Sequence, residues 1–368
     1  MDKRLVGKWY KEELGETLNI FDERPLRVKL SFSSSGHYNF EPNCVCEKDG
    51  FLCFEINDEQ YRMVYHIRYA ENGLAGYYTQ FGQEFPVRYA RVSQEPEDQE
   101  YRFIPAEIYV PEIDKPRIDI LKRYAHYDQT KSEKSYTTEY RLGGEVPEIL
   151  EKYNYSQYIN TVERSDDQLV FRLLDFVCDH FQHNGSIGLP QGRKIEDIIA
   201  FCESHDSKTN CRGLAILLAS LLRLNGIKAR HITCMPYEEP FGDCHVVVDC
   251  LLPCRKRILL DPTWRLYLRD AHGEYVSLQR LRKMLIEGDP VFANADASYN
   301  GTGFDEQYHR NYMIKNTFRF SRGTLCANGC DEHSLRRVEL IPAAYPIEKF
   351  SDAAKNEFVY DDAAFWAM

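Results

Sequence analysis

A cysteine, a histidine and an aspartate follow one another in an order that suits nucleophilic catalysis by a thiol. Cys211 begins an apolar run, His245 lies in a strand-like run, and Asp261 ends another. A thiol can attack a carbonyl carbon, an imidazole can take its proton, and a carboxylate can orient the imidazole. The alternative for Cys211 is a structural thiol, because free cysteine is among the most buried residue types. The three residues together favour a Cys–His–Asp triad.

The segment behind Cys211 predicts a helix over 211–224 that is buried on nearly every side. Its apolar residues keep helical spacing on one face, and further apolar residues fill the other. Thr209 or Asn210 caps its N-terminus, and Asn225-Gly226 stops it. The thiol then lies in the first turn, where free backbone N–H groups and the helix dipole favour a thiolate.

Three strand-like runs follow this helix, at 227–235, 243–249 and 257–260. Two adjacent antiparallel strands can place His245 and Asp261 side by side. Packing the helix against that sheet brings Cys211 within reach of the imidazole.

These segments resemble the core of the transglutaminase-like superfamily, over residues 146–320. The resemblance rests on Cys211-Arg-Gly, Leu-Leu-Arg-Leu-Asn-Gly-Ile-Lys-Ala-Arg230, His245 and Leu260-Asp-Pro-Thr-Trp264. That superfamily shares a papain-like arrangement and includes cysteine proteases, peptide N-glycanases and protein cross-linking enzymes. The resemblance implies that Cys211 is the nucleophile, His245 the base and Asp261 the residue that orients the base.

The chain departs from the family at Val246 and Val247, since many members carry a tryptophan just after the histidine. The departure concerns the wall on the substrate side and leaves the triad intact. Supporting roles fall to Asn210 as the helix cap, to Trp264 packed behind the aspartate, and to Arg230 paired with a carboxylate.

Two neighbouring residues are candidates for a side-chain donor to the oxyanion. Gln182 lies upstream of the cysteine, where papain-like enzymes place such a donor, and His183 competes with it. Transglutaminase-like enzymes often use an aromatic residue there, so the residue type leaves the choice open. The alternative for Gln182 is an exposed amide at the end of a helix. The second donor would be the backbone N–H of Cys211.

The fold class predicted is α+β, with a papain-like core of a helical half and an antiparallel sheet behind a small all-β barrel or sandwich. Residues 1–93 carry β-type runs between turn signals, and Gly7-x-Trp9 resembles the start of lipocalin-like barrels. A connecting region, 94–145, with a helix near 117–126, leads to a catalytic domain at 146–350. Within that domain we expect helices at 166–181, 193–202 and 277–287, and strands at 312–320 and 337–341. The apolar tail, 351–368, is expected to dock.

Composition excludes several classes of partner and cofactor. The 368 residues carry a net charge of −11, which argues against nucleic acid, and no apolar stretch is long enough to span a membrane. The start of the chain has no signal-peptide pattern, so a cytoplasmic protein with reduced thiols is expected. No metal or other cofactor is predicted, because Cys44, Cys46 and Cys53 lack the spacing of a zinc site. Cys44 and Cys46 are expected to form a core thiol pair instead.

The function predicted is a cysteine hydrolase that acts on peptide, isopeptide or glutamine-type amide bonds through a thioester. Its partner is then a peptide or protein substrate, and the sequence names no partner for the N-terminal β domain. Two alternatives stay open. One is a non-catalytic peptide- or protein-binding module that keeps the fold, and the other is a protein cross-linking acyltransferase.

Overall fold

In the computed structural model the described residues are 2–11, 16–32, 37–57, 62–80, 83–103, 116–131, 137–160, 167–238, 241, 243–330, 337–346 and 357–368. Parts of the predicted connecting region 94–145 and tail 351–368 lie outside them. The chain divides into two compact units. The first comprises Met1–Pro111, Glu238–Gly242 and Gln307–Tyr312, and the second comprises Glu112–Tyr237, Asp243–Glu306 and Met313–Met368.

The N-terminal part of the chain is built of short β-strands, as the β-type runs predicted. They are β1 (Gly7–Lys11), β2 (Glu16–Phe21), β3 (Arg27–Phe32), β4 (His37–Phe40), β5 (Cys44–Lys48), β6 (Phe51–Asn57), β7 (Arg62–Ala70), β8 (Gly73–Gln80), β9 (Gln83–Ser93) and β10 (Arg102–Phe103). They form one ten-stranded sheet in the order β10-β4-β3-β2-β1-β9-β8-β7-β6-β5. The sheet is antiparallel and curls into a half-barrel.

Alternation along each strand gives this sheet one apolar face. On β1, Trp9 is fully buried whereas its neighbour Tyr10 is exposed, because successive side chains point to opposite faces. The indole Nε1 of Trp9 donates a hydrogen bond to the carbonyl of Leu5 at 2.8 Å. The likeness to lipocalin-like barrels at this tryptophan stays a prediction.

A buried carboxyl group lies in the first unit. Glu16 has no exposed surface, and the hydroxyl of Tyr89 donates a hydrogen bond to its Oε1 at 2.7 Å. Burial raises the pKa of Glu16 to about 7, and the hydrogen bond with Tyr89 offsets only part of this rise. The folded protein therefore holds this proton more tightly than the unfolded chain does.

We expect the free energy of unfolding to carry a pH dependence that belongs to Glu16. The pKa of Glu16 rises from 4.5 to about 7 on folding. The contribution of Glu16 to the free energy of unfolding therefore falls as the pH rises between these two values. The unfolding free energy of Glu16→Gln minus that of the wild type should increase by about 3 kcal/mol between pH 4 and pH 8. Urea denaturation across this range measures it, with the exposed Glu84→Gln as control. If the free energies of unfolding of Glu16→Gln and the wild type changed in parallel with pH, the raised pKa of Glu16 would be contradicted.

The prediction that Cys44 and Cys46 form a core thiol pair is wrong. Both residues are exposed, because β5 is the edge strand of the sheet. Cys53 on β6 is the buried thiol, and its Sγ lies 3.3 Å from Nδ1 of His66. Within the described ranges, no three cysteine, histidine or acidic side chains are grouped to hold a metal.

The remainder of the chain mixes helices and strands. The helices are α1 (Arg117–Arg123), α2 (Tyr155–Ile159), α3 (Gln168–His180), α4 (Ile195–Glu203), α5 (Cys211–Leu224), α6 (Leu278–Glu287), α7 (Glu306–Asn316) and α8 (Asp362–Trp366). The strands are β11 (Glu139–Tyr140), β12 (Gln182–His183), β13 (Lys208–Thr209), β14 (Ala229–Met235), β15 (His245–Leu251), β16 (Arg257–Asp261), β17 (Leu266–Arg269), β18 (Phe292–Ala293), β19 (Arg319–Gly323), β20 (Leu325–Cys326), β21 (Arg337–Leu340) and β22 (Glu357–Val359). No helix among these is long and apolar enough to cross a membrane.

An eight-stranded sheet organises the second unit, in the order β18-β17-β16-β15-β14-β19-β21-β22. Helix α5 packs on β14 and β15 and also meets α3 and α4. Every residue of α5 from Gly213 to Arg223 is buried, which confirms the prediction of a helix buried on nearly every side. Since only a central helix buries its whole circumference, α5 is the core element around which the sheet and the other helices assemble.

The strand predicted at 312–320 is wrong over residues 312–318. Helix α7 continues to Asn316, and the strand begins only at Arg319. Thr317 continues the hydrogen-bonding pattern of the helix. Its backbone N–H and its hydroxyl both donate to the carbonyl of Met313, at 2.9 and 2.7 Å. A run of β-type residues therefore spans a helix–strand junction, where tertiary packing overrides local propensity.

A buried charge cluster ties the described part of the tail to the sheet. Asp249 on β15 accepts hydrogen bonds from Arg230, at 3.1 Å, and from Arg257, at 2.6 Å. The Arg230 guanidinium also donates to the carbonyls of Trp366 and Ala367, both at 3.1 Å. Trp366 is buried, so this end of the chain docks as predicted.

Candidate functional site

The sequence before α5 places a thiol at the first position of a helix. Asn210 caps the helix, because its side-chain oxygen accepts a hydrogen bond from the backbone N–H of Gly213 at 3.1 Å. A Cβ at Gly213 would lie 2.3 Å from Oγ1 of Thr209, so any side chain there would force Thr209 to shift. Cys211 is part-exposed at this end of the helix, where the dipole favours a thiolate.

The two neighbouring strands bring the histidine and the aspartate together. His245 is the first residue of β15 and Asp261 is the last of β16, and the strands pair with Val248 opposite Leu260. The two side chains are therefore diagonal neighbours on one face of the sheet. Nε2 of His245 lies 2.6 Å from Oδ2 of Asp261, and both side chains are buried. The other oxygen of Asp261 is held by the backbone N–H of Thr263 at 3.0 Å.

The imidazoles of His183 and His245 both lie close enough to the Cys211 thiol to lower its pKa by hydrogen bonding. Because Nε2 of His245 is taken by Asp261, Nδ1 is the ring nitrogen left for the sulfur. His183 reaches the thiol from β12, which pairs in parallel with β13 immediately before the helix cap. Gln182, the residue before it, is exposed. Of the two oxyanion candidates, the structure brings His183 to the sulfur.

The charges at the site favour a thiolate–imidazolium pair. Burial by itself raises the pKa of the Cys211 thiol, but hydrogen bonds from His183 and His245 outweigh it and lower the pKa. Burial by itself lowers the pKa of His245, but the Asp261 carboxylate and the bond to Cys211 raise it well above its usual range. The pKa of Cys211 is thus lowered to about 6, whereas that of its neighbour Cys244 is raised to about 12 by burial and by the charge on Cys211.

Trp264 and Arg230, two of the supporting residues predicted, are both buried. Trp264 is buried, and its ring centroid lies 4.9 Å from that of Tyr299. Arg230 belongs to the charge cluster around Asp249 and does not contact the thiol within the described interactions. Val246 and Val247 are buried in the sheet, so neither lines a surface open to substrate.

Two residues at this site were missed from the sequence. The hydroxyl of Tyr299 lies 2.8 Å from Nδ1 of His183, and Asn300 hydrogen-bonds the backbone of the same residue. They stand 116 and 117 positions after His183, in a segment with no motif. Only the turn-forming Asn300-Gly301 pair marks the segment, and it does not indicate a partner.

The family model for the transglutaminase-like superfamily matches residues 153–262. A putative cysteine protease from Cytophaga hutchinsonii is 14% identical, with 82% of this chain and 91% of that chain covered and a TM-score of 0.25. The periplasmic domain of TgpA from Pseudomonas aeruginosa is 14% identical, with 62% and 77% covered and a TM-score of 0.26.

A putative protease from Parabacteroides distasonis is 12% identical, with 61% of this chain covered and a TM-score of 0.24. The chain spans only 43% of that protein. No curated protein matches the chain significantly.

Proposed function

We propose that the chain is a cysteine hydrolase acting on amide bonds of a peptide or protein, since residues 153–262 match the family model of the transglutaminase-like superfamily. The observation that carries the proposal is a thiol at a helix N-terminus, hydrogen-bonded to an imidazole whose other nitrogen meets a buried carboxylate. Such a pair supplies a nucleophile and a proton donor in one place.

The acylation half of the reaction follows from the positions of these groups. The Cys211 thiolate attacks the carbonyl carbon, a C–S bond forms, and the carbonyl electron pair moves onto oxygen. When the carbonyl re-forms, the C–N bond breaks and the leaving amine takes the proton from His245. Asp261 keeps the imidazole turned toward the sulfur throughout.

The deacylation half uses water. His245 takes a proton from water, the oxygen attacks the thioester carbon, and the C–S bond breaks to release the acid and restore the thiolate–imidazolium pair. Water is the proposed acceptor because the buried Val246 and Val247 provide no aromatic wall beside the histidine. A cross-linking enzyme would need to let an amine outcompete water at this step.

The test is selective labelling and acylation of Cys211. At pH 6 with limiting iodoacetamide, Cys211 should be alkylated first among the twelve cysteines, because its pKa is lowered while burial raises those of Cys202 and Cys244. A p-nitrophenyl ester should leave an acyl group on Cys211 that water removes. Mass spectrometry of peptides locates both modifications.

The matched controls are Cys211→Ala, which should lose both reactions, and Cys244→Ser, which should keep both. First labelling of another cysteine would refute the assignment of the nucleophile. Incorporation of a primary amine in excess of hydrolysis would show instead that the chain is an acyltransferase.

A further inference from the structure

His183 lies between the thiol and a buried tyrosine. Its Nδ1 lies 2.8 Å from the hydroxyl of Tyr299, and its ring is near enough to Cys211 to lower the pKa of the thiol. With Nδ1 occupied by Tyr299, Nε2 is the ring nitrogen that faces the sulfur. The site therefore holds two imidazoles with different partners, a carboxylate for His245 and a phenol for His183.

Asn300, the residue after Tyr299, binds the backbone of His183. The side-chain oxygen of Asn300 accepts from the backbone N–H of His183 at 2.8 Å, and its amide donates to the carbonyl of His183 at 2.9 Å. Asn300 has φ of 51°, a left-handed conformation that asparagine tolerates better than most residues. These two hydrogen bonds fix the backbone of His183, whatever the orientation of its ring.

The ring of Tyr299 is equally constrained. It is 1% exposed and packs on Trp264, with ring centroids 4.9 Å apart. The turn that carries it is closed by Thr302, whose backbone N–H and hydroxyl both donate to the carbonyl of Tyr299, at 2.9 and 2.6 Å. The phenol is therefore held at a fixed point beside Nδ1.

A phenol O–H is a better donor than acceptor, so its natural partner is an unprotonated ring nitrogen. If Nδ1 of His183 accepts from Tyr299, the single ring proton lies on Nε2 and points at the sulfur. We propose that Tyr299 and Asn300 hold His183 as a neutral Nε2–H donor to the oxyanion, with Tyr299 as a positioning residue. The inference rests on the proposed function, because it concerns the same acyl transfer.

The same N–H serves two stages of the reaction. In the resting protein it donates to the Cys211 thiolate. When the sulfur forms its bond to carbon, the negative charge moves to the adjacent oxygen, and the N–H follows it. The backbone N–H of Cys211 at the helix N-terminus supplies the second donor. His183 is unsuited to the base role, since its partner is a neutral phenol whereas His245 has a carboxylate.

Two reactions of Cys211 separate an oxyanion donor from a residue that only supports the thiolate. Alkylation by iodoacetamide develops no oxyanion, whereas acylation by a p-nitrophenyl ester does, and neither needs a protonated leaving group. Both rates are measured at a pH where the thiolate is fully formed in each variant. The variants are His183→Ala, His183→Gln, which keeps an N–H donor, and Tyr299→Phe, which keeps the ring packed on Trp264.

We expect acylation by His183→Ala to fall about 10²–10³-fold relative to alkylation. His183→Gln should restore part of that loss. Tyr299→Phe should lose about tenfold, by analogy with metal-ligating histidines that lose the partner which sets their tautomer. NMR of ¹⁵N-histidine protein, assigned through His183→Gln, should show the proton on Nε2 in the wild type and a mixture of tautomers in Tyr299→Phe.

Equal losses of acylation and alkylation in His183→Ala would overturn the inference, as would a proton on Nδ1 in the wild type. A wild-type protein that never acylates Cys211 would instead refute the proposed function. The two failures are therefore distinct.

Discussion

Replacing Asp261 by asparagine is expected to lower the rate of acylation from an amide substrate by about 10⁴-fold while the protein stays folded. The Asp261 carboxylate binds Nε2 of His245 at 2.6 Å and is the main favourable influence that raises the pKa of that imidazole. An amide in its place presents an N–H to the same nitrogen and selects the wrong tautomer. The imidazolium is then lost, and with it the proton that the leaving amine must take.

The measurement is single-turnover release of an aryl amine from an anilide peptide, with a thermal melt to confirm folding. The matched control is Asp289→Asn, an exposed aspartate in the same unit, which should keep the wild-type rate. A full rate in Asp261→Asn would mean that Asp261 only holds the turn at Thr263.

Removing the carboxylate of Asp249 is expected to reduce the free energy of unfolding by about 3–5 kcal/mol, because it leaves buried cations unpaired. Asp249 has no exposed surface, and its partners Arg230 and Arg257 have side chains 1% and 20% exposed. A third cation, Arg322, lies close enough that the charge of Arg230 adds to burial in lowering its pKa. In Asp249→Ala, the guanidinium groups of Arg230, Arg257 and Arg322 would therefore repel one another with no carboxylate between them.

Urea denaturation of Asp249→Ala measures the loss. The matched control is Glu274→Ala, since the Lys256–Glu274 pair is about half exposed on both sides and should contribute at most about 1 kcal/mol. The double variant Asp249→Ala, Arg230→Met should be more stable than Asp249→Ala alone. Equal effects of Asp249→Ala and Glu274→Ala would show that burial adds nothing to this ion pair.

Local patterns were sufficient to predict the helix that begins at Cys211 and the strand that begins at His245. The apolar spacing behind Cys211 and the polar cap at Asn210 are signals within one helix, and the structure follows both. The strand of His245 and the strand that ends at Asp261 are likewise each defined by a short run of residues. Their pairing needed only the assumption that neighbouring strands are antiparallel.

Contacts between segments distant in the sequence could not be predicted from such local patterns. The choice between Gln182 and His183 depends on which face of a two-residue strand meets the thiol. Tyr299 has no sequence relation to His183 and meets it only through the folded chain. The pairing of Asp249 with Arg230 follows from strand register, in which the two residues are directly opposite. The helix end at Asn316 was hidden by β-type residues on both sides of the junction.

The parallel ladder of β12 and β13 gives the site a reporter that needs no substrate. The backbone N–H of Gln182 donates to the carbonyl of Ser207, and that of Asn184 donates to the carbonyl of Thr209, both at 2.8 Å. These two amides flank His183 and lie beside the cap of the nucleophile helix. Their solvent hydrogen-exchange rates therefore record how often the ladder that carries His183 opens. Slow exchange there, matched to that of the α5 core, would mean that this ladder opens only when the whole unit unfolds.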